Sequence, residues 1–259
     1  KKGVMGVNIV LNGLTLTNDD SAAITLNKTA EASLIAAVGT TNTVADTEGS
    51  NDENAAVKVK SGATLAIGGT GTLTVDGNAK NGIKGAADAV ITVGEVKLNI
   101  NAADDGLSCD DELNITGGTF NAPIFAQGRL DNVPATASET SALTASDRKY
   151  YAADGDIRIN ITGGTFNGGL ISAYYTQAGY TQMLRGSFDV TIGAGATFAA
   201  GTVIDATQVK AYAGSDKKAT LTYPAGAGIT AKRFDTVNGR AQTYEEPLRI
   251  ACIGDSITQ

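Results

Sequence analysis

The 259 residues carry a net charge of −7 with a pI near 4.6, so the chain has no basic face for nucleic-acid phosphates. Apolar residues make up 42% of it but never gather into a run of about 18, which excludes a membrane-spanning helix. Glycine is frequent, at 32 residues against 4 prolines and no tryptophan, a balance that suits tight turns between short strands rather than a disordered tract.

In chain order, Lys1 to Leu26 alternates as strand, with Val7, Ile9 and Leu11 on one face and turns at Asn12-Gly13 and Asn18-Asp19-Asp20. Because it opens directly on strand alternation, its first residue is expected to be a processed end. Leu34 to Val44 continues the alternation. Asp46 to Asn54 is polar and acidic and is expected as a solvent loop, with cation binding its alternative role. From Ala55 to Ala122 the sequence repeats with a period of roughly 24 residues. Ala55-Ala56-Val57, Asn81-Gly82-Ile83 and Asp105-Gly106-Leu107 each open a unit. Leu65 and Ile67, Ile91 and Val93, and Leu113 and Ile115 then form a second apolar pair, ahead of a glycine turn and a third alternation. Three short strands per unit imply a parallel β-helix, an all-β solenoid with one unit per rung. Ile67, Val93 and Ile115 should stack in one inward column.

Ile115-Thr116-Gly117-Gly118-Thr119-Phe120-Asn121 recurs letter for letter as Ile161 to Asn167, a spacing of 46 residues. One rung carrying an insertion is preferred over two rungs, since Asn132 to Lys149 shows no strand alternation. Within the insertion, Ser138 to Arg148 could form a short helix. Strand alternation resumes at Ile157 and runs through Ala219 to Thr222, whereas Phe234 to Pro247 is polar and loses the period. The expected organisation is a β-helix over 1–233, a linker over 234–247 and the start of a further domain over 248–259.

Ala102-Ala103-Asp104-Asp105-Gly106-Leu107, followed by Asp110-Asp111-Glu112-Leu113-Asn114-Ile115-Thr116-Gly117-Gly118-Thr119, resembles a known bacterial family. These are the calcium-containing, polysaccharide-lyase-like right-handed β-helix carbohydrate-binding proteins, and the resemblance covers roughly residues 22–167. It implies a right-handed parallel β-helix, structural Ca2+, binding to plant-type polysaccharide and an extracellular or cell-surface location. Lys80-Asn81-Gly82 departs from the double aspartate, so the resemblance carries no cation site to that rung. A second resemblance lies in Leu248 to Gln259, where Gly254-Asp255-Ser256 is similar to the first block of the SGNH (GDSL) hydrolases. On that resemblance Ser256 is the nucleophile and its backbone N–H joins the oxyanion hole.

A serine needs a positioned base, which is a histidine in that family, and the chain has none. Ser256 is therefore expected to be inert here and catalytic only in an intact parent esterase. Asp104, Asp105, Asp110, Asp111 and Glu112 put five carboxylates within nine residues, where like charges on adjacent rungs repel. Calcium would relieve that repulsion, with Asp104, Asp105, Asp110 and Asp111 as the expected ligands. Tyr150, Tyr151, Tyr174 and Tyr175, with Tyr180 nearby, are the aromatic candidates for stacking on sugars. Lys58, Lys60 and Lys84 could serve a lyase but fit solvated strand positions equally well, and Cys109 and Cys252 fit no metal spacing and read as thiols. Three function classes follow. The preferred one is a calcium-stabilised polysaccharide-binding β-helix ahead of an SGNH esterase; the others are a catalytic lyase and a solenoid that associates end to end through its open strand edges.

Overall fold

Threonine, valine and isoleucine favour the half-buried pleated surface, and glycine turns cut the chain into short lengths of it. A computed structural model describes residues 6–49, 52–110, 112–126, 129–131, 150–154, 156–172, 181–184, 187–206, 210–211 and 218–242. Every regular element in it is a strand. The first unit is β1 (Gly6–Leu11), β2 (Thr15–Asn18) and β3 (Ile24–Leu26); the second is β4 (Glu31–Ala36), β5 (Thr41–Asp46) and β6 (Ala55–Val59). Next come β7 (Thr64–Gly69), β8 (Thr72–Gly77) and β9 (Asn81–Gly85), then β10 (Val90–Val93), β11 (Lys97–Ala102) and β12 (Leu107–Cys109). The fifth unit is β13 (Glu112–Ile115), β14 (Thr119–Phe120) and β15 (Ile124–Ala126).

Throughout these units each strand pairs in parallel with the third strand after it, giving three ladders. The first ladder aligns Leu34, Ile67, Val93 and Ile115, all buried, so the expected inward column is present. Val44, Val75, Ile100 and Phe120 align in the second ladder, and Val57, Ile83, Leu107 and Ile124 in the third. All twelve of these side chains belong to one apolar cluster, so the core lies between the ladders. Each unit buries apolar area only against its neighbours, at roughly 25 cal/mol per Å² removed from water.

After β15 the chain runs through β16 (Arg129–Asp131) and returns antiparallel as β17 (Tyr150–Asp154). The ladders then resume with β18 (Ile157–Phe166) and β19 (Leu170–Ser172). β18 pairs with both β13 and β14, placing Ile115 beside Ile161 and Phe120 beside Phe166. The two heptapeptides therefore lie on adjacent units, and the 46-residue spacing is one unit with an insertion. Next come β20 (Thr181–Leu184), β21 (Phe188–Phe198), β22 (Val203–Asp205), β23 (Lys210–Ala211), β24 (Ala219–Thr222) and β25 (Thr230–Lys232). β20 adds in parallel to β17 and β23 to β20, so the inserted strand founds a separate, smaller sheet. The expected helix over Ser138 to Arg148 lies outside the described residues.

Two boundaries differ from the sequence reading. Asp46 is buried at the end of β5 and accepts the Ala79 N–H at 3.1 Å, so the solvent loop starts after it. Residues 234–242, expected to begin a linker, pack on the sheet. Phe234 is buried and stacks on Phe188 at 5.7 Å, and β26 (Thr236–Val237) pairs with β24 before turning back as β27 (Arg240–Ala241). One aromatic anchor holds this segment without the three-strand period, and periodicity had been the only signal available.

The Gly-Gly of each heptapeptide has two separate causes. A Cβ on Gly117 would stand 2.7 Å from the Gly94 carbonyl oxygen, and one on Gly163 would strike the Thr116 carbonyl oxygen. Gly118 and Gly164 take positive φ of 97° and 108°, which side chains resist. Gly118→Ala and Gly164→Ala should each cost about 1–3 kcal/mol. Thermal melting should show this as roughly 2–4 °C per kcal/mol for a chain of this size. Gly68→Ala, with open space around it and no positive φ, should change little; an equal loss there would remove backbone strain as the cause.

Candidate functional site

Alternation along the third ladder sends Val57, Val59 and Ile83 inward and Lys58 and Lys84 outward, and the parallel register stacks the two lysines on neighbouring strands. Burial is the main reason both ammonium groups titrate below the usual lysine value. Lys84 adds to the shift at Lys58, and Lys80 adds to it at Lys84, while the Asp110 carboxylate opposes it at both. Asp110 itself is buried, and an ion pair between Lys60 and Glu53 flanks the lysines.

Beside them, the turn at residues 104–106 stacks on the turn at residues 80–82. The Asp104 N–H donates to the Lys80 carbonyl at 2.8 Å, the Gly82 N–H to the Asp105 carbonyl at 3.0 Å, and the Asp105 N–H to Asn81 Oδ1 at 3.3 Å. Lys80 Nζ thereby comes to 3.6 Å from Asp104 Oδ2. Asp105 is raised to about 7, first by burial and then by the adjacent Asp104 charge, with Lys80 and Lys84 pulling the other way. The departure Lys80-Asn81-Gly82 thus puts a lysine and an amide where a second pair of carboxylates would have stood. Repulsion acts within the turn, between Asp104 and Asp105.

On the next unit, Asp156 accepts the Ser187 N–H at 2.9 Å and Arg158 Nη2 at 3.0 Å. Asp111 lies outside the described residues, and among those described no three His, Cys, Asp or Glu side chains gather in a metal-holding group. The arrangement is a mixed-charge patch, in which Lys58 and Lys84 offer donors to a polar ligand beside the carboxyl groups of Asp105 and Asp110.

A family model described as "Carbohydrate-binding domain-containing protein" matches residues 3–246. The chain belongs to that family. No curated protein and no solved structure matches it. Among the sugar-stacking candidates of this carbohydrate-binding chain, Tyr150 and Tyr151 sit on β17 in parallel register with Thr181 and Gln182 of β20. Tyr174, Tyr175 and Tyr180 lie outside the described residues, as do Cys252, Ser256 and the whole of residues 248–259. Cys109 is a buried thiol whose Sγ donates to the Ala89 carbonyl at 3.3 Å.

In sequence Lys58 and Lys84 fit a lyase role and solvated strand positions equally well, and their stacking beside Asp110 is the part that reading missed. The signal was present, since Val57-Lys58-Val59 and Ile83-Lys84-Gly85 place lysine in the same slot of aligned repeats.

The raised Asp105 value predicts a pH dependence in calcium-free buffer. Between the ordinary 3.8 and about 7 the unfolded chain has released this proton and the folded chain still holds it. Stability should therefore fall as pH rises through that window and stay low above it. Asp105→Asn should remove this component and raise stability at pH 8 by on the order of 1 kcal/mol while matching the parent near pH 4, as read by chemical denaturation. A variant less stable than the parent at pH 8 would show that the carboxylate is favourably paired.

Proposed function

We propose that the chain is a right-handed parallel β-helix that binds polysaccharide, without catalysis of its own, as the module preceding an SGNH-type carbohydrate esterase. The observation that carries the reading is the match of residues 3–246 to a carbohydrate-binding family. Three parallel ladders with a three-strand offset support the helical path, and a right-handed crossover is the general rule for parallel strands. The family match ends just short of Leu248, where the resemblance to the hydrolase begins. In this reading Tyr150, Tyr151, Tyr174 and Tyr175 stack on sugar rings, Ser256 acts only in the intact parent, and the protein works outside or on the surface of a bacterial cell on plant-type polysaccharide. A binding module raises the local concentration of its enzyme on an insoluble polymer.

The same reading assigns Ca2+ to Asp104, Asp105, Asp110 and Asp111. Its support is Asp105, half-buried beside a second carboxylate and reluctant to ionise, a condition that a divalent cation bound by oxygens would relieve. Lys80 and Lys84 compete for those carboxylates, so affinity in the sub-millimolar range or weaker is expected of the site. Calcium added at tenfold excess over its Kd should raise the melting temperature, and a chelator should reverse the rise. Melting curves that coincide with and without the ion would remove calcium from the account.

Binding is tested by retention of the chain on insoluble and immobilised plant polysaccharides, and esterase activity by ester hydrolysis in the parent with and without Ser256→Ala. The chain should be retained and should release no product, while the parent should hydrolyse esters and lose that activity on substitution. Retention on none of the polysaccharides tested would end the binding-module reading, and unchanged hydrolysis by the Ser256→Ala parent would end the hydrolase assignment.

A further inference from the structure

The three ladders differ in what they turn outward. The first presents an uncharged column, Asn8, Ser33, Ala66, Thr92, Asn114, Asn160, Thr191 and Thr222, flanked by a charged one that holds Glu31, Glu112, Arg158 and Asp189, and the third presents Lys58, Lys84, Asp205 and Lys232. Along the second, the parallel register aligns Thr15, Thr43, Thr74, Asn99, Thr119, Thr165 and Thr197, without a charge or a large apolar residue. These side chains alternate with the buried column and are exposed or half-exposed. At the inter-strand spacing of parallel sheets the column runs roughly 29 Å.

Beside it runs a second polar row, in which Asn167 Nδ2 donates to Asn121 Oδ1 at 3.0 Å, Asn121 to Asn101 at 3.1 Å, and Asn101 to Asp76 at 2.7 Å. That chain of bonds fixes each asparagine amide in one orientation and leaves each with a further donor and acceptor facing outward. Among the described residues, the side chains of Thr15, Thr43, Thr74, Asn99 and Thr119 have no hydrogen-bond partner. Thr165 and Thr197 bond each other at 3.2 Å.

We propose that this threonine and asparagine face is where the protein binds polysaccharide, and that its ligand is an uncharged, extended glycan. The proposal rests on the polysaccharide-binding reading and gives that reading a surface and a ligand class. A sugar hydroxyl both donates and accepts, as do threonine hydroxyls and asparagine amides. Threonine is stiff about χ1 and the amides are already held, so little side-chain freedom is lost on binding. The charge pattern selects the partner: a chain of net charge −7 offers an anionic polymer no cationic row on this face, where Lys97 is the one outward cation among the strand positions of the second ladder, whereas an uncharged polymer meets no repulsion. Each contact is weak, and the length of the column lets a long glycan make several together.

The test uses the full chain, retained on an insoluble neutral β-glucan and on immobilised polygalacturonate. Thr74→Lys with Thr119→Lys should weaken retention on the neutral glucan about tenfold, the expected effect of losing two hydrogen bonds, with little change in melting temperature. Thr74→Val with Thr119→Val keeps the branched shape and strand preference and removes only the hydroxyls, so it should weaken retention severalfold. Thr191→Lys, on the outward side of the first ladder, should bind as the parent does. Parental retention by either the lysine or the valine pair overturns the proposal, as does an equal loss in Thr191→Lys. Retention of the parent on polygalacturonate alone overturns it and leaves the binding-module reading standing, whereas retention on neither polymer removes both.

Discussion

Every part of this molecule depends on one constraint: each unit of chain hydrogen-bonds in parallel to the unit before it, in register, about 4.8 Å away. A residue must therefore coexist with its own counterpart on either side. Inside, that requirement is met by columns of aliphatic side chains, and from the fifth unit onward by phenylalanine, with Phe120, Phe166 and Phe198 stacked at 5.0 and 5.1 Å. Where a turn brings backbone against backbone it is met by glycine, since a Cβ at Gly117 or Gly163 would enter the preceding unit. Conformational entropy opposes ordering so many short strands, and the continuous core shared between units is what offsets it.

On the outside the same constraint acts on charge. Like residues that recur once per unit stack on themselves, tolerably for uncharged asparagine and threonine, some of which bond to their copies as Asn121 and Asn167 do, and at a cost for lysine and aspartate. Lys58 over Lys84 is a stacked pair of like charges on the central repeats, and the Asp110 carboxylate moderates it at both lysines. At the neighbouring turn the sequence breaks its own repeat, placing Lys80 against Asp104 and Asn81 against Asp105. The break leaves Asp105 as the member of the cluster most reluctant to ionise, through burial and the Asp104 charge.

The insertion follows from the same logic. A strand added to one unit exposes unpaired backbone unless its neighbours supply partners, and β20 and β23 do so in the next two units. The smaller sheet is thus a stacked feature that begins with the inserted strand. It carries Tyr150 and Tyr151, whereas the aligned threonine column lies on the second ladder.

The sequence by itself determined the all-β class, the three-strand unit, the inward register of Ile67, Val93 and Ile115, and the single inserted unit between the heptapeptides. These are local or repeated features, and repetition writes the pairing into the spacing of residues. It did not determine that Asp46 is buried or that residues 234–242 belong to the packed domain, because a side chain capping the next turn and a lone aromatic anchor leave no period. Nor did it show which outward residues lie side by side as a surface. Thr15 and Thr197 are separated by most of the chain and belong to one column only because each strand was laid on the third before it, so the continuous polar face was decided by the tertiary structure alone.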